Sequence, residues 1–252
     1  MEELPESATE PDGSAVVRVL SYNIRSMRDD TAALARVIRA CAPDLVLVQE
    51  APRFFRWRKS AARLASATGL FYATGGAPAT GPMILVSPRA HVERTEDVLL
   101  PHTPGLHRRG FATAVLRIGG ARLGAVSAHL SLDAGERLAQ AGLLLERVAA
   151  LGTPHTVVGG DINEGPGGAA FRRIAGTLTD AYAAAPWGGE FTSEAAAPRQ
   201  RIDAVFASGA VEVLGCGVPT AAAGVAPADF AAATDHLPVL AAVRVPSSSA
   251  RR

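Results

Sequence analysis

Apolar runs broken by polar residues divide this chain into strands and helices. The run "AVVRVLSYNI" (15–24) reads as a strand whose end delivers Asn23, and "DDTAALARVIRACA" puts acidic residues ahead of a helical pattern, the charge that a helix start favours. "PDLVLVQE" is a short continuous apolar strand ending on Glu50, and "RFFRWRKSAARLASATG" has the spacing of a helix. Three strand-like runs follow near 82–87, 109–118 and 121–130, the last ending close to His129. "AGERLAQAGLLLERVAALG" has leucines at helical spacing and a glycine stop. "HTVVGGDIN", "QRIDAVFAS" and "DHLPVLAAVRV" complete the pattern as further strands. Strands alternate with helices in some places and follow one another in others, which predicts mixed sheets flanked by helices.

Composition narrows the class. The chain has 252 residues, 48% of them hydrophobic and 19% charged, as in an ordinary globular protein with a substantial core. A formal net charge of +1 gives no overall pull toward nucleic acid or membrane, so any basic surface must be local. Lys59 is the sole lysine; the remaining positive charge is arginine. Cys41 and Cys216 are far apart in sequence, which points to buried inert thiols rather than a disulfide framework. Residues 1–14 are acidic and proline-bearing, unlike a secretory leader, and are expected to be a disordered tail; 247–252 are expected to be a flexible one. Residues 15–246 then form a single domain, expected to be monomeric and cytoplasmic. Residues 64–88 carry no charge, but glycines and prolines interrupt them too often for a transmembrane helix.

The polar residues recur at strand ends. Asn23, Glu50, His129, Asp161 with Asn163, Asp203, and Asp235 with His236 each lie at or near one end of an apolar run. Taken singly, each has a plain explanation as a turn, a cap or a surface ion pair. The stretch "VVGGDINEGPGG" is the most informative of them. It lacks the lysine and hydroxyl residue of a phosphate-cradling loop, and its carboxylate stands where a dinucleotide fingerprint would open a helix. Asp161 offers an acceptor, suited to a cation, a proton or a water, and the neighbouring glycines let something approach the backbone closely.

Taken in order, the motifs "SYNI", "VLVQE", "SAHL", "VGGDIN", "RIDAVF" and "TDHLPV" resemble the endonuclease/exonuclease/phosphatase superfamily, the DNase I-like metal-dependent phosphoesterases. The resemblance spans residues 16–245 and implies an α/β fold, a four-layered sandwich with two packed mixed β-sheets. It also implies a hydrolase of phosphate esters, using Mg2+ with Mn2+ as an alternative. Glu50 is the first metal ligand implied, with Asn23 nearby and Asp235 as a further ligand. Asp161 would orient or deprotonate the attacking water, Asn163 would hold the nucleophile or phosphate, and His129 would donate to a phosphate oxygen. Asp203 and His236 resemble the family's His-Asp pair.

The substrate stays open at this level. A phosphodiester, with nucleic acid among the candidates, is the first expectation; an inositol, lipid or nucleotide phosphomonoester is the second, and a catalytically silent binding module the third. Arg56 and Arg58, interleaved with aromatic residues after Glu50, are candidates for phosphate contact, as is Arg109. The alternative for "RFFRWRKSAAR" is an amphipathic helix with its aromatics in the core and its arginines in water.

Overall fold

The computed structural model describes residues 3–219 and 225–248. Its first half runs β1 (Ala8–Thr9), β2 (Ala15–Asn23), α1 (Thr31–Ala40), β3 (Leu45–Gln49), α2 (Trp57–Thr68), β4 (Phe71–Gly75), β5 (Met83–Val86), β6 (Ala90–Leu99), β7 (Gly110–Ile118) and β8 (Ala121–His129). The second runs α3 (Ala134–Ala150), β9 (Thr156–Asp161), α4 (Ala169–Ala175), β10 (Thr179–Asp180), α5 (Ala181–Ala184), β11 (Asp203–Ala207), β12 (Glu212–Gly217), α6 (Pro227–Ala233) and β13 (Val239–Val245).

Two mixed sheets pack face to face. One has the order β12-β13-β2-β3-β5-β4 with β1 added to β2; the other has the order β10-β11-β9-β8-β7-β6. Among the described strands, β2 with β3 and β8 with β9 pair in parallel, joined through α1 and α3. Alternation along each strand sends side chains into two different cores. On β3, Leu45 and Leu47 enter the core between the sheets, while Val46 and Val48 face outward to the layer of α1, α2 and α6. On the second sheet, Val126, Val158 and Phe206 face outward to Leu144 of α3 and to Phe171 and Ile174 of α4. Helices, sheet, sheet, helices are the four layers expected.

Local chemistry places the helices. Asp30 caps α1 by accepting from the backbone N–H groups of Ala32 and Ala33 at 2.8 and 3.0 Å, and Asp133 caps α3 by accepting from Glu136 at 2.8 Å. Gly69 ends α2 in the left-handed region, φ 73°.

The glycines of "VVGG" have a structural task. A Cβ on Gly159 would stand 2.7 Å from Leu47 Cδ1 and 3.0 Å from Ser21 Cβ, so what approaches this backbone closely is the other sheet. Beside it, Gln49 is fully buried and ties the sheets together. Its Nε2 donates to Leu47 O at 2.8 Å and to Ser127 Oγ at 3.3 Å, and Ser127 Oγ donates to Val48 O at 2.6 Å.

The leading segment differs from the expected tail over 1–14. Residues 3–14 are seated on the first sheet: β1 pairs antiparallel with the start of β2, Leu4 is buried, and Ser7 Oγ donates to Asp44 Oδ2 at 2.6 Å. Its acidic, proline-bearing composition concealed one apolar anchor and a short edge pairing. At the other end, Ser248 N donates to Gly120 O at 2.9 Å, and the rest of the expected tail, 249–252, lies outside the described residues. β6 also went unread in the sequence. It is an edge strand, mostly exposed and with four charged residues at its centre, and so lacks an apolar signature. Among the described residues, no helix is long and apolar enough to cross a membrane.

Candidate active site

Strand register builds the site. On the second sheet His129 pairs with Asp161 across β8 and β9, and Asp161 pairs with Asp203 across β9 and β11, so three neighbouring strands present three functional groups in one row. On the first sheet the parallel pair β2 and β3 aligns Asn23 with Gln49, and Glu50 follows one residue later. His236 arrives on the segment entering β13. That segment is held by Thr234, whose Oγ1 donates to Asn23 O at 3.1 Å.

Asp161 Oδ2 is the centre of the cluster. Asn23 Nδ2 donates to it at 3.0 Å, His129 Nε2 lies at 3.4 Å and His236 Nε2 at 3.9 Å. Asp161 Oδ1 accepts from the N–H of Asn163 at 3.0 Å. Asn23 Nδ2 also reaches Glu50 Oε1 at 3.3 Å, and His129 Nδ1 is 4.0 Å from that oxygen. His236 Nδ1 donates to Asp203 Oδ2 at 2.8 Å, while Asp203 Oδ1 is buried with no hydrogen-bond partner.

Burial and charge set the protonation. Desolvation pulls His129 down to about 3, which keeps its imidazole neutral, and desolvation likewise raises Asp161 above the usual carboxylate range. For His236 burial also opposes charge, but the carboxylate of Asp203, its hydrogen bond, and the charges of Asp161 and Asp235 outweigh it. The imidazole is raised to about 10 and is a cation at neutral pH.

Two site residues have left-handed backbones without being glycine: Glu50 at φ 53° and Asn163 at φ 57°. Such positions cost on the order of 1–3 kcal/mol and need support from their surroundings. Glu50 O accepts from Ser26 N at 2.7 Å, and the next residue's N–H donates to Gly81 O at 2.9 Å. Asn163 Nδ2 donates to Leu130 O at 2.8 Å, which leaves its second amide hydrogen for a ligand.

These groups open into a cleft of about 500 Å³ whose walls include Glu50, Arg53, Arg109, His129, Asp161, Asn163 and His236. Arg109 is mostly buried, its Nε has no hydrogen-bond partner, and burial lowers its pKa. Arg56 and Arg58 do not line the cleft. Each guanidinium lies over an aromatic ring instead, Arg56 over Phe55 and Arg58 over Trp57. The cause is Arg56 itself, which takes a left-handed conformation (φ 59°) and turns the chain into α2, so the helix starts only at Trp57. Asp235 also stays off the cleft wall, with Oδ2 3.3 Å from Arg25 Nε. Arg53, the first arginine of the basic stretch "RFFRWRKSAAR" that follows Glu50, lines the cleft, as do Arg28 and His107, which the sequence did not single out.

The donor sets accommodate a metal ion in two ways. Glu50 has a half-exposed carboxylate beside an amide, open to water, which suits a hard cation that keeps part of its hydration shell. Ligand atoms of Asp161, Asp203 and His236 also lie within 4.8 Å of one another, but His236 Nδ1 is already committed to Asp203. That set includes an imidazole nitrogen, a poorer donor for a hard cation than oxygen. The Glu50 side is therefore the better fit for magnesium.

A rigid two-sheet scaffold whose strand ends gather carboxylates, two histidines and arginines in one cleft defines a phosphoester hydrolase. The chain belongs to the endonuclease/exonuclease/phosphatase family, whose family model matches residues 20–236. Solved structures agree on the fold. The family protein from Bacteroides vulgatus superposes with a TM-score of 0.75 at 20% identity, covering 91% of this chain and 99% of that one. The mannosyl-6-phosphatase of Bacteroides thetaiotaomicron gives 0.74 at 18% identity, covering 90% and 99%. Truncated Caenorhabditis elegans TDP2 gives 0.68 at 21% identity, covering 90% and 97%. A search of curated proteins by sequence finds no match.

Proposed function

We propose that this protein is a magnesium-dependent phosphodiesterase that cleaves its substrate by in-line attack of water. The observation that carries the reading is the placement of two chemically different groups on either side of Asp161 Oδ2. On one side is the Glu50 carboxylate with Asn23, and on the other is the His236 imidazolium held by Asp203.

A divalent ion bound by Glu50, with Asn23 beside it, would supply Lewis-acid charge for a phosphoryl oxygen. Asp161 has the raised proton affinity that a base acting on water needs, and Asn23 and the Asn163 N–H hold its two oxygens in place. His236, charged and oriented by Asp203, neutralises negative charge that grows on the phosphate oxygens in the transition state. His129 is neutral and donates one hydrogen bond to a phosphate oxygen; Asn163 offers its free amide hydrogen. Arg109 binds the phosphate, joined by Arg53; Arg56 and Arg58 are not among the cleft-lining residues.

The test is hydrolysis by purified protein with magnesium or manganese on a phosphodiester, a phosphomonoester and plasmid DNA, with His236→Ala alongside. Diester cleavage that disappears in the variant and with chelator supports the proposal. A preference for the monoester would replace it with a phosphatase, as the Bacteroides thetaiotaomicron neighbour is named.

A further inference from the structure

The three most exposed large hydrophobic side chains among the described residues are Phe55 at 87%, Phe54 at 78% and Leu132 at 70%, and all three line the catalytic cleft. An amphipathic helix through this stretch would bury the two phenylalanines; the left-handed turn at Arg56 puts them outside instead. Scattered surface apolar groups need no explanation, but convergence of the most exposed ones on a polar catalytic cleft does.

We propose that Phe54 and Phe55 form a platform for a planar ring, a nucleobase or another aromatic group, attached to the reacting phosphate. This deepens the phosphoesterase reading above and rests on it. The Arg53 guanidinium lies 5.3 Å from the ring centre of Phe54 and that of Arg56 5.0 Å from Phe55, so each ring carries a cation on one side and is free to stack on the other. Phe54 follows Glu50 by four residues, so at most about 14 Å of chain separates them. That bound keeps the ring near enough to serve a group one sugar away from the phosphate. Leu132 supplies an apolar contact from another part of the rim.

A bilayer fits the same surface less well. Leu132 is followed by Asp133, which is exposed, and by Glu136, so that side of the rim is acidic and would repel anionic headgroups.

Calorimetric binding in magnesium tests the platform by affinity, a readout separate from hydrolysis. Thymidine 5′-monophosphate should bind the wild-type protein roughly ten-fold or more tightly than ribose 5-phosphate, the range that one stacked base supplies. Phe54→Ala/Phe55→Ala should close that gap and Phe54→Tyr/Phe55→Tyr should keep it, with far-UV circular dichroism checking the fold. An oligothymidylate that binds much more tightly than the mononucleotide would identify single-stranded nucleic acid as the source of the ring; equal binding would identify small nucleotide esters. Equal affinity for the two monophosphates, in a protein that hydrolyses phosphate esters, overturns the platform alone. Failure to bind either one, together with silence on every ester, removes the phosphoesterase reading and the platform with it. Sedimentation with phosphatidylcholine–phosphatidylserine vesicles that is lost in the alanine variant would overturn the platform in favour of membrane contact.

Discussion

His236 and Asp203 join the two sheets at the site: Nδ1 of His236, on the segment entering β13 of the first sheet, donates to Oδ2 of Asp203 on β11 of the second at 2.8 Å. Asp203 Oδ1 has no partner, so His236 is the side chain through which this carboxylate acts. Asp203→Asn should therefore lower kcat by about 10²–10⁴ while the fold persists. Combining it with His236→Ala should cost little beyond either change alone, because the two residues act as one unit. Single and double variants measured on the same ester, with circular dichroism as the fold control, check this.

The same pair makes stability depend on pH. The folded pKa of His236, about 10, lies above the unfolded value of about 6.5, so the folded state holds the extra proton between them. Its contribution is fully present below pH 6.5 and is lost as pH rises through 10. Urea unfolding in chelator should show the wild type losing stability over that window more steeply than His236→Gln, by at most about 1.4 kcal/mol per pH unit.

Arg109 and Arg58 should behave differently although both were candidates for phosphate contact. Arg109→Ala should reduce kcat/KM by roughly 10- to 100-fold, the range for losing a hydrogen bond to a charged group. Arg58→Ala should change it less than two-fold, since that side chain lies 4.5 Å from the Trp57 ring and off the cleft wall. Steady-state kinetics of the two variants decides it.

Gly159→Ala should destabilise the fold by about 1–3 kcal/mol, because its methyl must enter against Leu47 and Ser21 of the opposite sheet. A lowered urea midpoint with an unchanged m-value is the expected readout.

Burial pushes the Cys41 thiol up to about 12 and raises Cys216 as well. Neither should react with a water-soluble disulfide reagent at pH 8 in the native protein, and both should react once urea unfolds it.

Much of the scaffold was legible because its strands are buried on both faces and read as unbroken apolar runs. The residues at their ends became legible together, since register places His129, Asp161 and Asp203 side by side. What periodicity could not show was a reversal of backbone hand. At Arg56 one left-handed residue sends Phe54 and Phe55 outward and removes Arg56 and Arg58 from the cleft. Short helices such as α4 and α6 lie below the length at which a repeat becomes visible, and Leu4 is a lone apolar anchor in an acidic segment. Asp235 followed its neighbour His236 in sequence, but its side chain turns to Arg25.

Gln49 and Ser127 bind the sheets together next to the candidate catalytic groups, which are themselves divided between those sheets. Turnover is thus a gauge of how the two halves are aligned. A compact state that kept both sheets but let one slide along the other by a single residue would retain its circular dichroism and lose its chemistry. Loss of activity should then precede loss of secondary structure when Gln49 is shortened.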